Sequence, residues 1–501
     1  MEEARIDEIA TQVLSRRRLT GLGDLRLESS VIEPVVKSQN FCRFEIPRGK
    51  GILDSDTAVQ LSIKNSDTGT AGSRSYLSIL QGIKALVNKA VLRIGGKIVA
   101  TTEEYNFLSA TKAGLTPADD MESIHHNLEG SQFWWRNLTQ MQEAGSPAAP
   151  SLNLNGSVML GGNHFENETG TGDQMNFLVD EHILPTSSDT TTPKFMVRLH
   201  DLFPFLKQNQ LPLFVIPEHS VYVELYFNNP STPAPVVQNH AGNSVISIVE
   251  DDLKLFATYQ FFSDEVMGRI QNRYDNEGLS FIYEDIQYVR KGLVAAAGAA
   301  DTQELTADIG AQNKVVREIF IHKQSAAETS AVPGFSHYRC QGLYLKEGAT
   351  DVKESWQFEI NDELLFTRPI DEPAALNYYY SQVGENGDSW IPMELNSYSS
   401  GEKASGALTG DTSGDSSTTF EINESSVWAG TYAPRGVSFR KDRSNNAGNG
   451  KLVGSKPVRI IYKRTGAALG DMGSNNALSI RIWVVYERSF VLKDGEIAVS
   501  G

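Results

Sequence analysis

Residues 92–101 read LRIGGKIVAT, and residues 358–367 read FEINDELLFT. In each, two short apolar runs meet across a two-residue turn, Gly95-Gly96 in one and Asn361-Asp362 in the other, and both pairs suit the left-handed backbone of a tight hairpin. Superposed at Ile94 and Ile360, an offset of 266, the stretches match Ile98 with Leu364, Val99 with Leu365 and Thr101 with Thr367. VYVELYF from 221 and IRIWVVY from 480 form a second pair, offset by 259. Two landmarks at nearly equal offsets predict a duplicated domain.

The surrounding chain supports two copies. Ahead of the first hairpin, FCRFEIP and AVQLSIK alternate as strands; behind it, EEYNFLSATKAG and PADDMESIHHNLEG have helical character. A polar insertion, 145–173, precedes FMVRLHDLFPFLKQ and SVYVELYF, where Val221, Val223, Leu225 and Phe227 share one face and Tyr222, Glu224 and Tyr226 the other. After a Pro-rich stretch at 228–239, strands resume in LKLFATYQFF, LSFIYEDIQYV, NKVVREIFIHK and SWQFEINDELLFT, and a helical EPAALNYYYSQ follows. A Gly/Ser/Asp/Thr tract at 399–420 is too poor in apolar groups for a core. PVRIIYKR and SIRIWVVYERSFVL close the chain, with Ile480, Ile482, Val484 and Tyr486 on one face.

Many short strands without a βαβ rhythm favour sandwiches or Greek-key barrels over parallel α/β folds. The expected class is all-β with short helices: two tandem eight-stranded jelly-roll barrels, with an N-terminal arm at 1–25, the first barrel at 26–233 and the second at 234–501. A length of 501 residues fits two cores. The arm places Ile6, Ile9, Val13 and Leu14 at helical spacing, either packed on its own subunit or docked on a neighbour or an anionic membrane.

Bulk composition excludes several chemistries. Cys42 and Cys340 lie in different halves, so neither half can build a disulfide framework or a cysteine zinc site. The start, MEEARIDEIA, lacks the basic and apolar regions of a secretory signal, so synthesis inside the cell is expected. No run of 18 apolar residues occurs. A net charge of −17 repels a phosphate backbone, and Arg459 and Lys463 share a face too small for a nucleic-acid strip, so no specific nucleic-acid binding is expected.

GxxxxGK[ST], GxSxG and HExxH are absent, and no GxGxxG follows a strand, so neither an enzyme nor a cofactor is expected. His125-His126 point too far apart for one ion, and Asp119-Asp120, Asp251-Asp252 and Asp362-Glu363 read as turn and surface residues. Sequons at Asn137, Asn155, Asn167 and Asn423 carry little weight without a secretory signal. Trp134, Trp135 and Arg136, after Phe133, form the one cluster with interface composition; core packing, subunit contact and sugar binding remain open for it, in that order.

LHDLFPFL ahead of VYVELYF, the two hairpins and the terminal IRIWVVYERSFVLKDG together resemble the double jelly-roll major capsid proteins of the adenovirus and tectivirus lineage, with the nearest fit among polinton-like viruses, virophages and relatives of the large DNA viruses. That resemblance implies a homotrimeric, pseudo-hexagonal capsomer tiling an icosahedral virion shell, with loops 145–173 and 399–426 as outer towers. It also implies penton and minor capsid partners and an arm near an internal membrane. The alternative class is a two-domain β-sandwich protein that binds or processes glycans through the Trp134-Trp135 cluster.

Overall fold

A computed structural model of the chain describes residues 25–65, 75–77, 81–112, 126–130, 141–143, 152–154, 158–160, 163–165, 183–184, 194–228, 237–239, 246–295, 302–325, 343–345, 353–371, 379, 398–400, 427–429, 435–440, 450–465, 477–493 and 495–500. The arm at 1–24, Trp134, Trp135, Arg136, His125, Asp119-Asp120, Cys340, the four sequon asparagines, most of both tower loops and nearly all of EPAALNYYYSQ lie outside these residues.

The first group of strands is β1 (Arg26–Ile32), β2 (Val36–Ser38), β3 (Phe41–Ile46), β4 (Ala58–Asn65), β5 (Val87–Ile94), β6 (Lys97–Glu103), β7 (Lys194–Arg198), β8 (Val221–Phe227), β9 (Ile246–Ile248) and β10 (Lys254–Phe261). One sheet runs β2-β3-β8-β5-β6. The facing sheet has β4 paired with β7, β9 and β10, and β1 paired with β10. Phe44, Leu92 and Val223 from the first sheet share one buried cluster with Leu61, Val197 and Leu255 from the second, because each strand turns its alternate apolar residues inward. β9 and β10 come after the Pro-rich stretch and still pair with β4 of this sandwich.

The second group is β11 (Leu279–Leu293), β12 (Thr302–Asp308), β13 (Val315–Ser325), β14 (Lys353–Ile360), β15 (Glu363–Leu364), β16 (Arg435–Ser438), β17 (Arg459–Thr465), β18 (Leu478–Lys493) and β19 (Glu496–Ser500). One sheet runs β11-β18-β13-β16, and the other holds β12-β17-β14 in its path. Ile321, Val437 and Ile482 meet Phe358, Ile460 and Ala307 in a separate core.

The closing strands and the strands that precede them hold the same places in both halves. β8 lies between β3 and β5, as β18 lies between β11 and β13. β7 pairs with β4, as β17 pairs with β12. The pairing of VYVELYF with IRIWVVY is therefore a correspondence of place as well as of pattern.

The hairpin pairing needs correction. Both turns have the expected left-handed geometry, with Gly95 and Gly96 at φ 53° and 83° and Asn361 and Asp362 at 57° and 62°. Yet β5 pairs directly with the closing strand β8, whereas β14 sits in the opposite sheet from β18, beside β17. The counterpart of β5 is β13. The hairpins agree because a two-residue turn is a local solution to local backbone constraints, available wherever two strands meet, and it carries no information about sheet membership. They also differ in length: β6 continues for seven residues, while β15 stops after two and the Gln357 side-chain amide takes over, accepting from the Phe366 N–H at 3.2 Å and donating to its carbonyl at 2.7 Å.

Helix α1 (Tyr105–Lys112) fills the expected helical place after the first hairpin. Asp264–Glu277, which joins the two sandwiches, is a helix that the reading of the sequence passed over. Its signals are present: Asp264 and Glu265 in the first turn, Val266, Ile270 and Tyr274 buried at i, i+4, i+8, and Gly278 at φ 80° closing the end. Cys42 is buried in the first core, and burial pushes its thiol well up, out of the reactive range.

Candidate assembly surface

The outer face of the sheet holding β18 is covered by the first sandwich. Trp483 is fully buried there and donates its indole N–H to the Glu103 carbonyl at 3.0 Å. The Arg481 guanidinium lies 3.5 Å from the centre of the Phe107 ring on α1, and the His322 ring meets the same phenyl edge-on at 5.2 Å. Farther along, the twist accumulated by these long strands turns alternate residues onto the same neighbour. Phe205 packs against Tyr283 at 4.9 Å and Phe490 at 5.9 Å.

This seam also closes a sheet edge. Among the described strands β6 pairs only with β5, and its carbonyls at Val99 and Glu103 face outward. Side chains of the second sandwich take the place of a further strand: Tyr283 and Arg488 donate to the Val99 carbonyl, and Trp483 donates to the Glu103 carbonyl. An open strand edge is a template for unwanted pairing, and this one is closed by groups too irregular to extend. Burial pushes the Asp285 carboxyl up, against the pull of Arg488 2.6 Å away.

Among the described residues, none of the second sandwich covers the centre of the equivalent face on the first sandwich. Tyr222, Glu224 and Tyr226 of β8 stand beside Glu45, Arg43 and Phe41 of β3 and Arg93, Val91 and Lys89 of β5. Glu224 departs from simple alternation, being only 1% exposed although it points away from the core. Arg43 lies 2.8 Å from one carboxylate oxygen and Arg93 3.1 Å from the other, so the two guanidiniums both neutralise and roof it. The Phe41 and Tyr226 rings are 4.9 Å apart, and Arg43 lies over Phe41 and Tyr222. Tyr226, Ile98 and Val36 are exposed on the same face. Aromatic and Arg side chains around a desolvated charge have the composition of an interface centre.

Charges singled out in the sequence are absorbed structurally. Arg459 pairs with Asp308 and Glu359, and Lys463 with Glu304, so these two cations of PVRIIYKR are neutralised across strands. Asp251 pairs with Lys37, Asp252 with Lys194, and Asp362 with Lys456. Among the described residues no three His, Cys, Asp or Glu side chains gather as a metal site, and no helix is long and apolar enough to cross a membrane. Inside the second sandwich, Lys323 reaches Glu354 at 2.5 Å, with Tyr462 and Arg435 alongside. Burial alone would raise the Glu354 carboxyl, but the Lys323 and Arg435 charges and the hydrogen bonds from Lys323 and Tyr462 outweigh it and hold it lowered.

No protein-family model and no curated protein matches the chain. Solved structures do. A chain of the cryo-EM structure of the Sputnik virophage is 12% identical with a TM-score of 0.55, covering 97% of this chain and 90% of that one. The PBCV-1 VP54 structure fitted into a cryo-EM reconstruction of Sputnik is also 12% identical, with a TM-score of 0.54 and coverage of 97% and 98%. The mavirus major capsid protein, 12% identical, covers 94% of this chain and 90% of its own with a TM-score of 0.49. The likeness to the first two structures runs through both sandwiches and shows the fold, a double jelly roll.

Proposed function

We propose that this chain is a major capsid protein whose work is assembly: three copies close into a pseudo-hexagonal capsomer, and capsomers tile an icosahedral virion shell. The observation that carries this reading is the end-to-end fold likeness to a chain of an intact virus particle, at a TM-score of 0.55. Two like-built sandwiches per chain support it, since three chains then supply six similar blocks and a closed ring needs few kinds of contact. The chain divides into a first jelly roll over 26–233, completed by β9 and β10, and a second in the remainder. Trp134, Trp135 and Arg136 belong to a subunit contact, 145–173 and 399–426 form outer towers, and the arm at 1–25 lies at the inner face, toward a membrane where one is present. Penton and minor capsid proteins are the further partners.

Native mass measurement with electron microscopy of the purified chain tests the reading. A trimer of hexagonal outline is expected; a folded monomer at micromolar concentration that never associates overturns it.

A further inference from the structure

We infer that the segment ahead of β1, residues 1–24, folds back on its own chain and lays its apolar stripe, Ile6, Ile9, Val13 and Leu14, on the outer face of β1 and β10 around Leu27, Val31 and Phe256. This goes beyond the capsomer reading and does not depend on it.

The face is apolar and exposed. In the pairing of β1 with β10, Glu28, Ser30 and Ile32 stand opposite Tyr259, Ala257 and Leu255, which belong to the first core, so Leu27, Ser29 and Val31 share the other side with Gln260, Thr258 and Phe256. Leu27 and Val31 are 59% and 56% exposed there, and Leu25 continues the same alternation at 49%. Among the described residues, five of the twelve exposed large apolar side chains fall between Leu25 and Val36, and such a concentration marks a contact surface. The outer face of the corresponding sheet in the second sandwich instead carries the Glu304–Lys463 and Asp308–Arg459 ion pairs, which suit water.

The occupant follows from where the chain runs. The residues ahead of Leu25 hold apolar side chains at i, i+3, i+7 and i+8 from Ile6, acidic residues first, and Arg16, Arg17 and Arg18 before Gly21 and Gly23, which are stop signals for a helix. A helix from 3 to 18 is about 24 Å long, and the seven residues of β1 span about 23 Å, so stripe and strand match in length. The link from 19 to 24 is short, which makes the two elements neighbours and gives the tethered arm a local concentration that the arm of another copy lacks. A helix returning this way runs antiparallel to β1. Its acidic first turn then meets the Ile32 end of the strand, where Lys254 of β10 stands on the same side as Phe256.

The test uses the full chain and follows, by mass, tryptic cleavage after Arg16, Arg17 and Arg18, which a docked arm resists. Leu27→Asp/Val31→Asp on the face and Ile9→Asp/Val13→Asp on the arm are each expected to speed that cleavage at least 10-fold over the parent chain with an unchanged far-ultraviolet circular dichroism spectrum. Leu364→Asp/Leu452→Asp, at side chains 58% and 65% exposed on the second sandwich, is expected to keep the parental rate. If Leu27→Asp/Val31→Asp alters the spectrum, Ile9→Asp/Val13→Asp decides alone. A photo-crosslinking phenylalanine analogue in place of Val13, in a mixture of isotope-labelled and unlabelled chains, is expected to join residues 25–32 or 254–261 of the same chain. Cleavage as fast in the parent as in the variants overturns the docking, and crosslinks between labelled and unlabelled chains overturn its assignment to the arm's own chain. A parent chain that floats with phosphatidylserine vesicles as fully as Leu27→Asp/Val31→Asp does overturns it in favour of a membrane as the occupant. All three results leave the capsomer reading standing.

Discussion

The two closing strands β8 and β18 occupy the same position in their sheets and bury the same inner face, yet their outer faces have opposite fates. On β18, Arg481, Trp483 and Val485 lie under the first sandwich; on β8, Tyr222 and Tyr226 look outward and Glu224 is sheltered by two arginines. The inner face of a strand answers to its own sandwich and the outer face to whatever stands next to it. Duplication preserves the first and leaves the second free to change.

The sharpest way to break this comparison is to truncate each outer face in the isolated chain. Trp483→Ala removes a fully buried indole from the seam and should cost about 3–5 kcal/mol in urea unfolding. Tyr226→Ala, on the open face, should cost about 1 kcal/mol or less in the same measurement. Equal losses would show that the face around Glu224 is already packed within a single chain.

A second difference lies in where each half buries an ion pair. Lys323 and Glu354 meet between the two sheets of the second sandwich, whereas in the first half the buried pair Lys84–Glu129 lies on the short helical turns Ile83–Leu86 and His126–Glu129. The folded Glu354 carboxyl sits below its unfolded value near 4.5, so its contribution to stability is complete above that value and is lost as pH falls through the lowered one. Asp285, raised by burial, runs the other way and relieves the seam on protonation. Urea midpoints at pH 7, 5 and 3 should therefore show an acid loss that Glu354→Gln flattens relative to the parent; a Glu354→Gln profile parallel to the parent's would show that the pair does not couple to folding.

The smallest expected effect concerns the two hairpins. Asn361 combines a left-handed backbone with side-chain hydrogen bonds to Gly454 N–H at 2.6 Å and the Leu452 carbonyl at 3.2 Å. Asn361→Ala should cost about 1–2 kcal/mol, with Asn361→Gly recovering the backbone share. At Gly95 a Cβ would approach the His219 ring to 2.6 Å as well as meet the same backbone penalty, so Gly95→Ala should cost more than Gly96→Ala, which opens onto free space.

Legibility in the sequence varied with how local the cause was. Alternation placed Val221, Val223, Leu225 and Phe227 inward, and Asn361-Asp362 announced a tight turn, because both depend on neighbours within a few residues. The seam has a signal in the sequence that alternation does not convey: Trp483-Val484-Val485 is apolar at consecutive positions, the mark of a strand covered on both sides. Glu224 gave no signal of its own, since a carboxylate becomes interface chemistry only when β3 and β5 bring Arg43 and Arg93 to either side of it.

By itself the sequence determined that the chain is built of strands in two like halves, where the closing strands lie, which of their residues turn inward and which dipeptides make the turns. Those outcomes follow from a side-chain period of two and from the steric limits of single residues. Only the tertiary structure decided that the hairpins belong to different sheets, that β9 and β10 return to the first sandwich, and that one outer face is covered and its counterpart left open. Each of those depends on which distant segments meet, and a two-residue period is the same whichever neighbour it faces.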